Sequence, residues 1–216
     1  MALQFRIIPV TQFEQNCSIL WCDQTGIGAV VDPGGNFDRI DSEVKNLGIN
    51  IKKILITHAH ADHASLAKHC SKSYAAEIEG PHKKDLFWIR TLAIQGKLLG
   101  IRKAAGFKPN RWLNGGEQIK VGNEKLEVLY CPGHTAGHVV FVSHSAKLIA
   151  VGDVLFKGSI GRSDLPGGDH QTLVKSIKEN LWPLGEDYRF IPGHGPMSTI
   201  GHERKTNPFV ADPNYR

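Results

Sequence analysis

Short apolar runs, broken by glycine and polar turns, set the grain of this 216-residue chain. Apolar and alternating stretches at about 4–10, 17–22, 28–32, 52–56, 125–131, 138–143, 147–152 and 188–191 predict strands. Longer amphipathic stretches at about 37–47, 63–73, 82–104 and 170–181 predict helices. Asp62 reads as the cap of the second helix, and Gly48 and Gly106 as stops or turns. Strands joined by short turns, followed by strands mixed with helices, predict a layered α/β protein. No internal repeat, low-complexity tract or linker interrupts the pattern, and residues 1–216 are expected to form one domain. The 82–104 stretch mixes Leu86, Phe87, Ile89 and Ala93 with basic residues and is the best candidate for a helical cover near a site.

Composition narrows the class. Hydrophobic content of 41% and charged content of 22% fit a soluble globular protein. No run approaches the ~20 apolar residues that span a bilayer, and the start shows no secretory pattern. Cys17, Cys22, Cys70 and Cys131 form no C-x-x-C pair and read as buried thiols, so a reducing cytoplasm is expected. The net charge is +5, much of it local. Lys83, Lys84, Arg90, Lys97, Arg102, Lys103, Lys108 and Arg111 face Asp85 alone in their stretch, a solvated face or a surface that steers an anionic substrate. There is no basic run interleaved with aromatics and no nucleic-acid module, so no nucleic-acid partner is expected, and no membrane.

The chemistry concentrates at the ends of the predicted strands. Thr57-His58-Ala59-His60-Ala61-Asp62-His63 follows the apolar Ile54-Leu55-Ile56. His134 follows Gly133, Asp153 follows Gly152, and His194 follows Gly193. In extended chain, residues two apart point the same way, so His58 and His60 can converge on one ion. Asp62 and His63 come after the turn and can serve another. Imidazole and carboxylate suit zinc, iron or manganese. Seven such ligands exceed one tetrahedral ion and suit two ions that share a carboxylate and leave room for water, which marks catalysis. Glycine ahead of a ligand supplies positive φ or close backbone approach. His69, His82, His144, His170 and His202 are placed outside the cage. No G-x-G-x-x-G follows a strand.

These residues resemble the metallo-β-lactamase superfamily: H-x-H-x-D-H at 58–63, then Gly133-His134, Gly152-Asp153 and Gly193-His194-Gly195, preceded by Val31-Asp32-Pro33-Gly34-Gly35. The resemblance implies a four-layered αβ/βα sandwich with metals at one edge. It places His58, His60 and His134 on one ion, Asp62, His63 and His194 on the second, and Asp153 between them. Within the superfamily, Gly152 to Phe156, Gly161-Arg162-Ser163-Asp164, the run to His170, and His202 to Phe209 resemble the short bacterial members of the glyoxalase II branch. Ala64-Ser65 depart from the glycine usual after the motif, and the chain carries little of the C-terminal helical region of longer members.

The resemblance implies a thioester hydrolase acting on S-lactoylglutathione or a related thioester. Two divalent ions, zinc before iron or manganese, lower the pKa of water toward ~7 and make hydroxide available. Asp62 would orient it. A thiolate with an acid pKa near ~8.5 leaves without a strong general acid. Arg162, Arg204 and Lys205 are candidates for the substrate's carboxylates, since a guanidinium matches a carboxylate. Rival readings are a mononuclear iron persulfide dioxygenase, a lactonase, a phosphodiesterase and a non-catalytic metal-binding interaction protein. Asp153 stands where several β-lactamases carry cysteine, which argues against that activity. The oligomeric state is not legible.

Overall fold

The computed structural model describes residues 3–212. Its strands are β1 (Leu3–Val10), β2 (Gln15–Cys22), β3 (Ile27–Val31), β4 (Asn50–Leu55), β5 (Glu77–Glu79), β6 (Gln118–Val121), β7 (Glu124–Tyr130), β8 (Val139–Ser143), β9 (Leu148–Gly152), β10 (Leu155–Phe156), β11 (Ser159–Ile160), β12 (Arg189–Pro192) and β13 (Ser198–Thr199). Its helices are α1 (Phe37–Asn46), α2 (Ala61–Ala64), α3 (Ala67–Tyr74), α4 (Leu86–Leu98), α5 (His170–Ser176) and α6 (Ile200–Thr206).

Two sheets stack. One runs β1-β2-β3-β4-β5 and the other β13-β12-β9-β8-β7-β6, with β10-β11 a separate hairpin. The β3–β4, β4–β5 and β9–β12 pairs are parallel, and the others are antiparallel.

Side-chain alternation explains the layers. In β4, Ile54 joins a core with Ile40 and Val44 of α1, Cys70 of α3 and Leu92 of α4, while the next residue, Leu55, joins the core between the sheets. In β9, Ile149 and Val151 pack with Leu173 of α5 and Ile200 of α6, while Leu148 and Ala150 face the other sheet. Period-two alternation with both faces apolar forces each sheet to be covered twice. The result is helices, sheet, sheet, helices: the expected αβ/βα sandwich. Each such fully buried aliphatic side chain contributes about 1.5–3 kcal/mol.

Several local expectations change. The predicted 63–73 helix is two pieces, α2 and α3, separated at Ser65-Leu66. Asp62 is not a cap; His60, in extended backbone, precedes α2 and Asp62 lies inside its first turn. The 82–104 helix is shorter, with a 3-10 turn at Lys83–Asp85 before α4 and a stop near Gly100, whose φ is +67°. Strands β5 and β6, the β10-β11 hairpin, β13 and α6 are too short or too polar to stand out by pattern.

Candidate metal centre

Every candidate ligand lies just past a strand end on one edge of the sandwich. His58, His60, Asp62 and His63 follow β4, His134 follows β7, Asp153 follows β9 and His194 follows β12. Loops beyond the carboxyl ends of parallel strands are where α/β sheets bind ligands. The two sheets are sewn together at this edge. Asn16 of β2 donates its backbone N–H to Gly193 O at 2.7 Å and its side-chain amide to Pro192 O and Gly195 O.

The glycines do what close approach demands. Gly133 and Gly152 have φ of +131° and +52°. Gly193 does not need positive φ; a Cβ there would overlap the Asp153 carboxylate and lie 2.7 Å from His63 Cε1. At Gly34 a Cβ would overlap the Asp62 carbonyl, so the Asp32-Pro33-Gly34 turn packs directly on the ligand loop.

Hydrogen bonds fix the imidazoles. His134 donates from Nδ1 to Arg162 O at 2.7 Å, and His194 from Nδ1 to Phe13 O at 3.0 Å. His63 Nδ1 lies 3.0 Å from Asp32 Oδ2. His58 Nδ1 lies 3.0 Å from Thr57 Oγ1, whose hydroxyl donates to the same Asp32 oxygen at 2.5 Å. With each Nδ1 occupied on its outer side, the Nε2 lone pairs of these four rings turn inward. His58 Nε2, His63 Nε2 and Asp153 Oδ1 are buried without a hydrogen-bond partner. A buried polar atom left unpaired is costly, and a cation facing these atoms removes that cost.

The inward atoms converge as two groups, His58-His60-His134 and Asp62-His63-His194. His60 Nδ1 lies 2.9 Å from His134 Nε2, and His194 Nε2 lies 3.2 Å from Asp62 Oδ2. Tetrahedral ligands at ~2.0–2.1 Å from zinc stand about 3.3 Å apart, so the spacing fits. Asp153 sits between the groups, with Oδ1 3.2 Å from His63 Nε2 and Oδ2 3.5 Å from His134 Nε2. The donor set therefore fits two ions and a shared carboxylate.

Electrostatics agree. Burial and the neighbouring imidazoles hold His58 well below its ordinary value. His60 is pushed down to about 3 by burial and by His134. These rings are neutral, as ligands must be. Burial also opposes charge on His63, yet Asp153, Asp62 and Asp32 together raise it well above its ordinary value. Asp153 is held well below the carboxylate range, because His63 and His134 outweigh its burial. The protein alone thus puts a proton where the carboxylates ask for positive charge.

Two residues that pattern reading passed over shape the site. His138, fully buried, stacks on His58 with ring centroids 4.6 Å apart and accepts the Asp153 backbone N–H at 3.1 Å. The signal was present: Gly137-His138 repeats Gly133-His134 four residues on. Asp85, also fully buried, accepts from Ala59 N at 3.0 Å, Thr135 Oγ1 at 2.9 Å and Gly137 N at 2.6 Å. It ties the loop of His58 and His60 to the loop of His134. Sequence reading saw it only as the lone acid in a basic stretch.

The three candidate substrate cations are paired apart from one another. Arg204 ion-pairs with Asp212 at 3.3 Å beside Lys178 and Trp182, and Lys205 pairs with Glu186 at 3.7 Å. Neither is among the described residues that line the cavity over the ligands. Arg162 does line that cavity, but its side chain forks onto Asp164 at 2.8 and 2.7 Å. The 202–209 motif works through other residues. Buried Glu203 accepts from Gly158 N at 2.8 Å and Asn207 Nδ2 at 2.9 Å, and Asn207 donates on to Ser159 O at 3.0 Å, so α6 buttresses the β10-β11 hairpin.

A profile described as the metallo-beta-lactamase superfamily matches residues 10–194. The chain belongs to that superfamily. A Haemophilus influenzae protein named hydroxyacylglutathione hydrolase GloC is 42% identical over 209 residues, covering 96% of this chain and 98% of the relative. Among solved structures, the B3 metallo-beta-lactamase BLEG-1 is 32% identical with a TM-score of 0.88, covering 97% of this chain and all of the other. TTHA1623, solved in a di-iron-bound form, is 30% identical with a TM-score of 0.86, covering 95% of this chain and all of the other. Membership makes this chain a metallo-hydrolase of that superfamily, whose fold implies divalent-metal binding. Among the described residues, no helix is long and apolar enough to cross a membrane.

Proposed function

We propose that the chain is a binuclear metal-dependent thioester hydrolase of the glyoxalase II type, built as one domain over residues 1–216. The carrying observation is the inward set of His58, His60, His134, Asp62, His63, His194 and Asp153, with four Nδ1 atoms tied on the outside. The name of the Haemophilus influenzae relative supports the thioester and suggests S-lactoylglutathione as a test substrate. Four buried cysteines, all free, support a cytoplasmic setting.

His58, His60 and His134 would hold one ion, Asp62, His63 and His194 the other, and Asp153 both. Bound there, two divalent ions supply a Lewis acid for a carbonyl oxygen and a water made acidic enough to attack at neutral pH. The chain's own part is placement and charge. Asp62 has an oxygen 3.2 Å from His194 Nε2 at the floor of the open cavity and can orient the attacking water. Asp32 anchors His63 directly and His58 through Thr57, so one carboxylate keeps one ring of each group in register. Among the described residues that line the cavity, the carboxylates are Asp62 and Asp153, both assigned to the ions, which suits a thiol, a far better leaving group than an alcohol.

The test is elemental analysis joined to a substrate panel. Metal-loaded protein should carry close to two ions of zinc, iron or manganese and release thiol from S-lactoylglutathione or a simpler thioester. One iron with oxygen-dependent sulfite production would move the assignment to persulfide oxidation. Lactone or phosphodiester cleavage without thioesterase activity would retain the metal site and reject the substrate.

A further inference from the structure

The cavity above the ligands, about 790 Å³, has an unexpected wall for an enzyme whose substrate carrier is charged. Phe13 comes from the turn between β1 and β2, Trp88, Leu98 and Leu99 from α4 and its end, Phe156 from the β10-β11 hairpin, and Leu165 from the loop beyond it. Three of these remain substantially in water: Leu98 at 81%, Phe13 at 39% and Leu99 at 36% exposure. Large apolar side chains gathered at the rim of a cleft mark a surface kept for a ligand.

The polar groups of the same wall are already committed. The Gln95 carbonyl accepts the Ala61 N–H at 3.1 Å, and its amide donates to Trp88 O and Thr91 Oγ1 at 2.9 and 3.0 Å. Among the described lining residues Arg162 is the only lysine or arginine, and Asp164 takes both arms of its fork. Five residues of the basic stretch of 83–111 are placed on other surfaces: Arg90 and Lys108 line a separate cavity with Lys68 and Lys72, Arg102 and Lys103 line another, and Arg111 pairs with Glu79 and Glu117. A glutathione carrier brings two carboxylates and an ammonium, and the wall offers it no dedicated partner. An alkyl or aryl group finds aromatic and aliphatic surface directly beside the reacting centre.

We propose that the preferred substrate is a thioester with an apolar arm, alkyl or aryl, seated against Trp88, Leu98, Leu99 and Phe156, and that S-lactoylglutathione is a poor substrate beside it. This rests on the thioester-hydrolase reading and narrows it. The step itself is hydrolysis: water adds to the carbonyl carbon, the C–S bond breaks, and a carboxylate, a thiol and one proton leave.

Two thioester series on the metal-loaded enzyme test it. One lengthens the acyl chain from acetyl to octanoyl on N-acetylcysteamine; the other lengthens an alkanethiol on a fixed acetyl group. Full burial of a methylene is worth about fourfold, so a half-open wall should give about twofold per methylene, roughly sixtyfold across six. The series that responds identifies which arm lies on the wall. Leu98→Gln, at an exposed position, should flatten the response; Phe209→Gln, at an exposed apolar residue outside the cavity, should preserve it. Independently of turnover, the S-hexyl thioether of N-acetylcysteamine should bind at least tenfold tighter than the S-methyl thioether, with quenching lost in Trp88→Phe. Flat kcat/KM in both series, S-lactoylglutathione as the best substrate, an unaltered response in Leu98→Gln, or equal binding of the two thioethers overturns the inference and leaves the hydrolase standing. Failure to hydrolyse any thioester overturns the reading beneath it as well.

Discussion

Asp85 offers the sharpest separation of stability from function. Its carboxylate is fully buried, and burial pushes it from 3.8 up to about 6 against the pull of three donors. A rise of about two units means that the charge costs about 3 kcal/mol at neutral pH relative to water. Asp85→Asn removes that cost but also one acceptor. If the amide oxygen serves Ala59 and Thr135, the NH₂ meets the Gly137 N–H; if reversed, the Ala59 N–H is orphaned. One unpaired buried donor costs about 1–3 kcal/mol, so at neutral pH the two effects nearly cancel. The sign of the pH effect is fixed. A carboxyl raised on folding holds its proton more tightly folded than unfolded, so its contribution is fully present below pH ~4 and is lost as pH rises through about 6. The stability of the parent relative to Asp85→Asn should therefore fall by about 3 kcal/mol between pH 4 and 7. Urea unfolding of both metal-free proteins at several pH values measures this difference, and changes common to both cancel. Metal affinity should behave differently, because the loops of His58–His60 and His134 lose their shared anchor. Chelator competition should show a tenfold to hundredfold loss, the scale of supporting contacts around metal ligands. A stability difference flat within ~0.5 kcal/mol across that pH range, with metal affinity within twofold of the parent, would refute the reasoning.

Asp153→Ala should lose both ions and activity, while His170→Ala, at the exposed start of α5, keeps both; elemental analysis of the two proteins decides. Gly193→Ala places a methyl on the Asp153 carboxylate, so metal content should fall by half or more with the unfolding midpoint changed far less. Metal-free protein should weaken as pH falls from 7 to 4: His58, His60, His134 and His138 are lowered by burial and unfolded chains take up those protons below 6.5, while raised His63, His194 and Asp85 oppose the loss in part. A urea midpoint unchanged over that range would count against the neutral cluster. Arg204→Ala should leave KM for any thioester within twofold and cost about 0–1 kcal/mol of stability, since Arg204 pairs with Asp212 away from the cavity; a large KM increase would return it to the substrate.

The ligand edge was legible because its physics is local. Ile54-Leu55-Ile56 must be a buried strand, the alternating His58 and His60 must leave it on one side, and glycine must precede ligands whose backbones crowd together. What pattern could not show was pairing across distance. The break at Ser65-Leu66 comes from a long-range contact: Leu66 N–H is taken by Pro33 O at 2.9 Å, which no local propensity encodes. Asp62 looked like a cap because aspartate before an apolar run usually is one, but in this fold its carboxylate is directed to His194. Asp85 was hidden inside a basic stretch whose significance was read from charge counts rather than from the single acid within it.

The same distinction governs the C-terminal motif. Its arginine and lysine drew attention as charges for an anionic substrate, yet the residues that reach the site through the fold are Glu203 and Asn207, buried and bonded to the hairpin bearing Phe156. A shared motif can therefore preserve a wall while the wall's chemistry is free to change. Phe156 and Ile160 occupy that hairpin and line the cavity, and Phe13 and Leu98 line it from other elements. The metal edge limits the chemistry to what ions held by its seven donors would supply. The wall's residues come from a turn, a helix and a two-strand hairpin, and two of these elements also hold the ligand edge: the Phe13 carbonyl accepts from His194 Nδ1, and Trp88 packs edge-on against His60. Superfamily membership is thus legible in H-x-H-x-D-H, whereas substrate class has to be read from the surface that folding assembles above it.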